Sequence, residues 1–301
     1  MRKNLVIYHR VDYDGIFSGL IVKKYYEEKG IITRTYGWNY GDLELDLSSI
    51  INNYQNIIMV DISFSPDVML KLRETGKLTW IDHHQTAISD SEEHNYSDIP
   101  GYRKDGIAAC ELTWSYFYPN KETPQIIQFV GAYDIWDKTR FDWSNDVVPL
   151  QYGLRNEYGV NLNNIEKDWE TLSTDCSWVL NTGSTIFEWL KKSSEIWIKN
   201  NGFPVTVAGK FKGIALLSPL ASSILFESVI SEYDIFLIVQ INNNGTTYSV
   251  SMYSEPDKDL GDFSCGEYLK TYYNGGGHAK AAGAKNLTKE QFERLIFEHE
   301  I

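Results

Sequence analysis

The sequence predicts an α/β protein. A mostly parallel sheet flanked by helices forms the N-terminal domain, and a smaller C-terminal α/β domain follows. Three observations carry this expectation. Apolar runs alternate with segments of helical periodicity through the first half of the chain, as in sheets whose parallel strands are joined by helical crossovers. Several runs stop on acids and imidazoles: His9-Arg10-Val11-Asp12-Tyr13-Asp14-Gly15 after 5–8, Asp61 after 57–60, and Asp82-His83-His84 after 78–81. Open α/β sheets collect ligands at such strand ends. Beyond residue 203 the character changes to apolar strands and hairpin signals.

Taken in order, 5–9 reads as a buried strand. Helical spacing of Ile16, Phe17, Leu20, Ile21 and Tyr25 follows, and Gly30 stops that helix. Segments 33–38, 57–60 and 78–81 are further strands. Ser65-Pro66-Asp67 opens a helix, with a capping serine and proline at the first helical position. Helical patterns cover 106–118 and, from Thr123-Pro124, a segment carrying Phe129 and Val130 up to Asp134. Residues 141–182 are polar and irregular and yield no assignment. An amphipathic helix spans 183–200 and ends at Asn201-Gly202.

Strands follow at 205–208 and 213–217, then a helix opened by Ser218-Pro219. A strand at 234–241 turns through Asn242-Asn243-Asn244-Gly245 into a returning strand at 247–253. A helix over 264–272 leads to Gly275-Gly276-Gly277-His278, and Thr288 with Gln291 forms a capping box for the last helix. The expected division is a domain at 1–182, a linking helix at 183–202 and a domain at 203–301.

The 301 residues admit one large or two medium domains, and a hydrophobic fraction of 43% is ample for a core. No apolar run is long enough to span a membrane. Met1-Arg2-Lys3 leads directly into a strand-like run without a small-residue cleavage site, so no secretory signal is expected. Cys110, Cys176 and Cys265 are scattered and form no C-x-x-C, which points to packing roles in a reducing, cytoplasmic compartment. The net charge of −13, from 28 basic and 41 acidic residues, argues against long duplex DNA as a partner. A short anionic substrate fits if bound cations supply local positive charge.

His9, Asp12 and Asp14 leave a strand together, and Gly15 lets the backbone turn sharply behind them. Carboxylates with imidazoles and no thiolates suit a hard or borderline divalent ion such as Mn²⁺ or Mg²⁺. Asp61 and Asp82-His83-His84 add donors from neighbouring strand ends. Either acid of Tyr133-Asp134-Ile135-Trp136-Asp137 can close the set: Asp134 lies on the expected inner face, whereas Asp137 can cap or pair with Lys138. One acid after one strand is more often a helix cap, but four such stretches in one chain favour a metal cluster. So many carboxylates would repel one another without cations. Two bound cations remove that penalty and supply the chemistry of phosphoester hydrolysis.

These motifs, with Gly275-Gly276-Gly277-His278, resemble the DHH phosphoesterase superfamily, in the branch that carries a C-terminal DHHA1 domain. The resemblance covers the whole chain. It implies two manganese ions, with Mg²⁺ or Co²⁺ as alternatives, in a cleft between two domains. His9 and Asp12 would hold one ion, Asp14, His83 and Asp134 the other, and Asp61 would bridge. Asp82 would orient an imidazole, and His84 would face the scissile phosphate. Gly275, Gly276, Gly277 and His278 would bind substrate, while Tyr253 stands near where many relatives carry an arginine. The implied activity is cleavage of short oligonucleotides to nucleoside monophosphates, in the manner of a nano-RNase. Alternatives are hydrolysis of a cyclic or linear dinucleotide or of 3′-phosphoadenosine 5′-phosphate, or nucleotide sensing without turnover. The expected partner is a short oligonucleotide or dinucleotide, with no membrane, and the chain is a candidate homodimer. Tyr36, Trp38, Tyr40, Arg103 and Lys104 are candidate substrate contacts, although ordinary packing or a solvated surface accounts for them as well.

Overall fold

The computed structural model describes residues 3–40, 42, 45–220, 222–242, 245–255, 258–277 and 279–297. The chain divides into two compact units, Met1–Phe187 and Glu188–Ile301.

The first unit begins with β1 (Lys3–His9), α1 (Tyr13–Glu27), β2 (Ile32–Trp38), α2 (Leu47–Asn53), β3 (Asn56–Val60), α3 (Pro66–Glu74), β4 (Leu78–Ile81) and α4 (Gln85–Glu93). The four strands form one sheet in the order β2-β1-β3-β4. All its pairings are parallel. Val6, Ile58, Val60 and Ile81 pack on one face with Phe17, Leu20 and Ile21 of α1. Leu5, Ile7, Ile57, Met59 and Trp80 pack on the other with Met69 and Leu72 of α3. Burial on both faces explains why these strands read as unbroken apolar runs. Residues 100–104 lie alongside β4, where Trp80 N–H donates to the Pro100 carbonyl at 2.8 Å and Asp82 N–H to that of Tyr102 at 3.0 Å.

Helices α5 (Ala109–Phe117) and α6 (Gln125–Asp134) complete the layer over α1. The unassigned stretch contains a π-helical turn (Trp143–Val147), α7 (Val148–Tyr158), α8 (Leu162–Glu166) and α9 (Trp169–Leu172). Two of these helices are too short to show a period, and Pro149 sits in the first turn of α7. Helix α10 (Ser177–Asn201) starts before the expected 183 and runs across the division between the units. Gly183 is therefore an interior position rather than a start. A Cβ there would lie 1.8 Å from the Pro149 carbonyl oxygen, and one on Gly153 would lie 2.1 Å from that of Val179. The two helices thus meet backbone to backbone.

The second unit holds β5 (Phe203–Val207), β6 (Phe211–Leu217), a 3-10 helix (Ser223–Val229), β7 (Ile235–Asn242), β8 (Thr247–Ser254), α11 (Cys265–Tyr273), β9 (Gly276–Gly277), β10 (Ala281–Leu287) and α12 (Lys289–Phe297). Its six-stranded sheet has the order β5-β6-β7-β8-β10-β9. Only the β6–β7 pairing is parallel. Ser218-Pro219 does not open an α-helix. Ser218 N–H still bonds the Val239 carbonyl at 3.1 Å, so the chain leaves the sheet late and makes a short 3-10 helix instead. The hairpin residues Asn243 and Asn244 lie outside the described residues, but Asn242 pairs with Thr247 across the turn. The expected capping box is present: Thr288 N–H donates to Gln291 Oε1 at 3.0 Å and Gln291 N–H to Thr288 Oγ1 at 3.2 Å. The three cysteines are free and buried. Among the described residues, no helix is long and apolar enough to cross a membrane.

Gly183→Ala forces the helix crossing apart, an overpacking cost of about 1–3 kcal/mol. A fall in Tm of several degrees by calorimetry is expected. An unchanged Tm would show that the two backbones are not in contact.

Candidate metal centre

The strand order reverses between β1 and β3, and the carboxyl ends of strands at such a switch point form a crevice. His9 ends β1. Asp12 caps α1, accepting the Gly15 N–H at 2.9 Å. A Cβ on Gly15 would lie 2.1 Å from the His9 carbonyl oxygen, so only glycine permits this turn. Asp61 follows β3 in the left-handed region, at φ 59°, and is buried. Asp14 lies in the first turn of α1, also buried. Its two oxygens accept the Ala109 and Cys110 N–H groups at 2.8 and 2.7 Å, so the start of α5 holds a carboxylate.

These side chains converge. His83 Nε2 lies 3.5 Å from Asp14 Oδ2, 3.3 Å from Asp61 Oδ1 and 3.3 Å from Asp134 Oδ2. His9 Nδ1 lies 2.5 Å from Asp12 Oδ2 and 3.6 Å from Asp61 Oδ2. Three groups have donor atoms within 4.8 Å of one another: His9-Asp12-Asp61, Asp14-His83-Asp134 and Asp61-His83-His84. Asp61 belongs to the first and third, and His83 to the second and third.

Asp134 joins this cluster, whereas Asp137 is turned to Thr139 and, at 2.8 Å, to Arg140. Asp82 stands outside the converging groups. One of its oxygens takes the His83 and His84 N–H groups and His84 Nδ1, the last at 2.7 Å, and the other accepts Trp80 Nε1–H at 3.1 Å. Arg103 is committed to the carbonyls of Ser97, Ile99 and Trp80. Trp38 packs edge-on against Phe64 and Tyr40, and Tyr40 also meets the His9 ring edge-on.

In the second unit, Gly276 and Gly277 pair with Gly283 and Ala282 as an edge strand rather than forming a turn between helices. A Cβ on Gly275 would lie 2.4 Å from the Gly283 carbonyl oxygen, whereas one on Gly276 would meet open space. His278 lies outside the described residues.

Asn39 escaped the sequence reading. Its Oδ1 lies 3.0 Å from His9 Nε2, and its own N–H donates to Asp42, which Arg10 grips through two bonds at 2.8 and 3.1 Å. An acceptor at Nε2 keeps a proton there, so that Nδ1, facing Asp12 and Asp61, is the nitrogen that would give up its proton to a bound cation. The clue in the sequence is only an Asn just past the strand beside β1, too common a signal to single it out.

The donors fit divalent cations. His9 Nδ1 and Asp61 Oδ1 are buried without a hydrogen-bond partner. Burial, then the Asp61 charge, pushes the Asp14 carboxyl up to about 8, despite His83 and the Cys110 N–H. Burial first, then neighbouring carboxylates, raises Asp61 and Asp134 as well. Burial depresses the His9 imidazole, but Asp12 and Asp61 outweigh it and bring it up to about 10. The Asp82 contact lifts His84 to about 9.

All these shifts are upward, so the metal-free folded chain binds more protons than the unfolded chain across this range. The contribution of these groups to stability is therefore fully present only below about pH 4 and falls as pH rises toward 10, through the raised carboxyls first and then the imidazoles. Added Mn²⁺ should raise Tm far more at pH 8 than at pH 5. A metal-free Tm that climbs between those values would contradict the electrostatics. Asn39→Ala should weaken Mn²⁺ binding by about 10- to 100-fold with little loss of metal-free Tm, measured by calorimetric titration. Unaltered affinity would remove Asn39 from the site.

No protein-family profile matches the chain. It is 23% identical over 306 residues to an uncharacterized protein of Acanthamoeba polyphaga mimivirus, covering 93% of this chain and 66% of that protein. The chain thus spans just under two thirds of the length of the curated relative it matches. Its structure is similar to that of a pGpG-specific phosphodiesterase, PggH from Vibrio cholerae (TM-score 0.60, 13% identity, 97% of this chain and 96% of that one). It is also similar to the DHH domain of a member of a family of ribosomal proteins (0.61, 15%, 97% and 84%). A third similar structure is the exonuclease RecJ bound to manganese (0.51, 14%, 98% and 88%). With a parallel sheet bearing the acid and imidazole cluster and a second sheet unit following it in the chain, this chain shares its fold with these three proteins.

Proposed function

We propose that this chain is a divalent-metal-dependent phosphodiesterase that cleaves short oligonucleotides or dinucleotides to nucleoside monophosphates. One observation carries the reading: four carboxylates and three imidazoles converge, and Asp61 is common to two of the three donor groups. Sites for a pair of cations share a ligand in this way. His9 and Asp12 would hold one ion, Asp14, His83 and Asp134 the other, and Asp61 would serve as the ligand common to both. The ions, when bound, would supply a water nucleophile at neutral pH and neutralise charge on the phosphate.

The protein's own groups do the rest. Asp82, itself fixed by Trp80, holds His84 through Nδ1 and favours its protonated form. The His84 side chain remains 37% exposed, so Nε2 is placed to donate to a phosphate oxygen. The helix start at Ala109 and Cys110 fixes the Asp14 carboxylate and spares it rotational freedom. The overall acidity fits a short substrate drawn to metal ions better than a polymer held by a basic groove. That similar structures include a pGpG-specific phosphodiesterase and a manganese-bound exonuclease supports a dinucleotide or short-oligonucleotide substrate and Mn²⁺ as the ion.

The test is a substrate panel with Mn²⁺, resolved by chromatography: linear dinucleotides, 5-mers, cyclic dinucleotides and 3′-phosphoadenosine 5′-phosphate. Mononucleotide release from the linear substrates is expected. Chelation should abolish it, and Asp61→Asn should reduce it by at least about 10³-fold with circular dichroism unchanged. Full turnover in chelator, or in Asp61→Asn, would refute the reading.

A further inference from the structure

Helix α6 ends on Asp134, and the chain then makes a turn that glycine ordinarily supplies. Asp137 N–H bonds the Ala132 carbonyl at 2.9 Å, which leaves Trp136 at φ 57°. That 6→1 bond with a left-handed residue inside it is a Schellman motif. A bulky aromatic in this conformation is a genuine outlier. Packing does not demand it, because Trp136 remains 45% exposed.

Trp136 does not stand alone. Trp143 meets it edge-on at 4.8 Å between ring centroids, and Tyr133 lies parallel to Trp143 at 5.7 Å, with 5° between the planes. Lys138 Nζ sits 5.7 and 5.9 Å from the Trp136 and Trp143 centroids, a cation at the rim of an aromatic surface. The mount is rigid. Arg140 joins Asp137 on this turn to Glu111 of α5 through contacts of 2.8 and 3.1 Å. Only Ile135 separates Trp136 from Asp134, whose carboxylate touches His83, so the Cα atoms of Trp136 and of this candidate metal ligand lie within about 7 Å of each other.

We propose that Trp136, backed by Trp143 and Tyr133, is a stacking platform for the nucleobase attached to the phosphate held at the metal centre. The proposal rests on the phosphodiesterase reading and deepens it, by requiring a base as well as a phosphoester. A flat ring held out by a strained, clamped turn loses little freedom when a base covers it. Stacking tolerates any base, because each has a π face, and Lys138 complements the substrate's negative charge. The platform separates nucleotides from inorganic polyphosphates and sugar phosphates, which carry the anion without the ring.

The test is equilibrium binding to the Mn²⁺-loaded chain, by calorimetry, with adenosine 5′-monophosphate and ribose 5-phosphate as probes. Wild type should bind the nucleotide at least about fivefold more tightly. Trp136→Gly keeps the turn, since glycine favours it. It should erase the difference while leaving ribose 5-phosphate affinity and Mn²⁺ affinity unchanged, and Trp136→Phe should restore most of it. Equal affinities in wild type, or a preference that survives Trp136→Gly, would overturn the platform. Failure of the phosphodiesterase reading shows separately, as absent turnover of a dinucleotide with Mn²⁺, and leaves the binding comparison intact.

Discussion

Like charges forced together out of water set the terms for this structure. Asp14 and Asp61 are buried, and Asp12 and Asp134 lie against the same imidazoles. Carboxylates so placed either take up protons or need cations. Other parts of the fold accommodate them. The α5 start gives Asp14 two N–H donors, Asn39 fixes the His9 ring, and Asp82 ties His84 back to Trp80. Each of these contacts costs ordering entropy and does little for the sheet itself. They make sense as a scaffold that holds ligands in place before a cation arrives, so that binding energy is not spent on arranging them.

The parallel sheet makes that concentration of charge tolerable. Its strands are covered on both faces, so the hydrophobic core is complete without the strand ends. Val6 and Ile7 stay fully buried while His9, two residues on, is free to face the crevice. The reversal of strand order between β1 and β3 opens the gap into which both strands deliver their last residues. The same feature made the site legible in the sequence. A doubly covered strand is a dense apolar run, and a charged residue at its end stands out.

Legibility failed where no such contrast exists. Helices α2 and α4 are not among the elements the sequence predicts; the apolar stripe of α2, Leu47, Ile50 and Ile51, covers a single seven-residue helix and is only partly buried. The helices between 141 and 182 are short and begin with a π-helical turn. Gly183 suggested a start for α10, yet it serves the crossing with α7. The glycines at 275–277 carry no strand pattern, yet Gly276 and Gly277 pair as an edge strand because the following segment 281–287 supplies a ladder that its small residues concealed. Choosing between Asp134 and Asp137 needed the side chains: the helix ends at Asp134, and the next turn points Asp137 toward Arg140.

Backbone strain is distributed in a way that separates turn chemistry from site chemistry. Among the described residues, Asp61, Asn95, Trp136, Ala208, Asn274 and Asn286 have positive φ without being glycine. The asparagines tolerate that region because a short amide can bond locally. Ala208 sits beside Gly209 in the tight turn between β5 and β6. Asp61 shares that tolerance in part and Trp136 does not, and glycine would make either turn at lower cost. One supplies the carboxylate shared between donor groups, and the other follows the acid that closes the cluster. In Asp61 the strain aims an oxygen that has no hydrogen-bond partner of its own. A conformation kept at a cost, around an atom left unsatisfied, is accounted for when the missing partner is a cation.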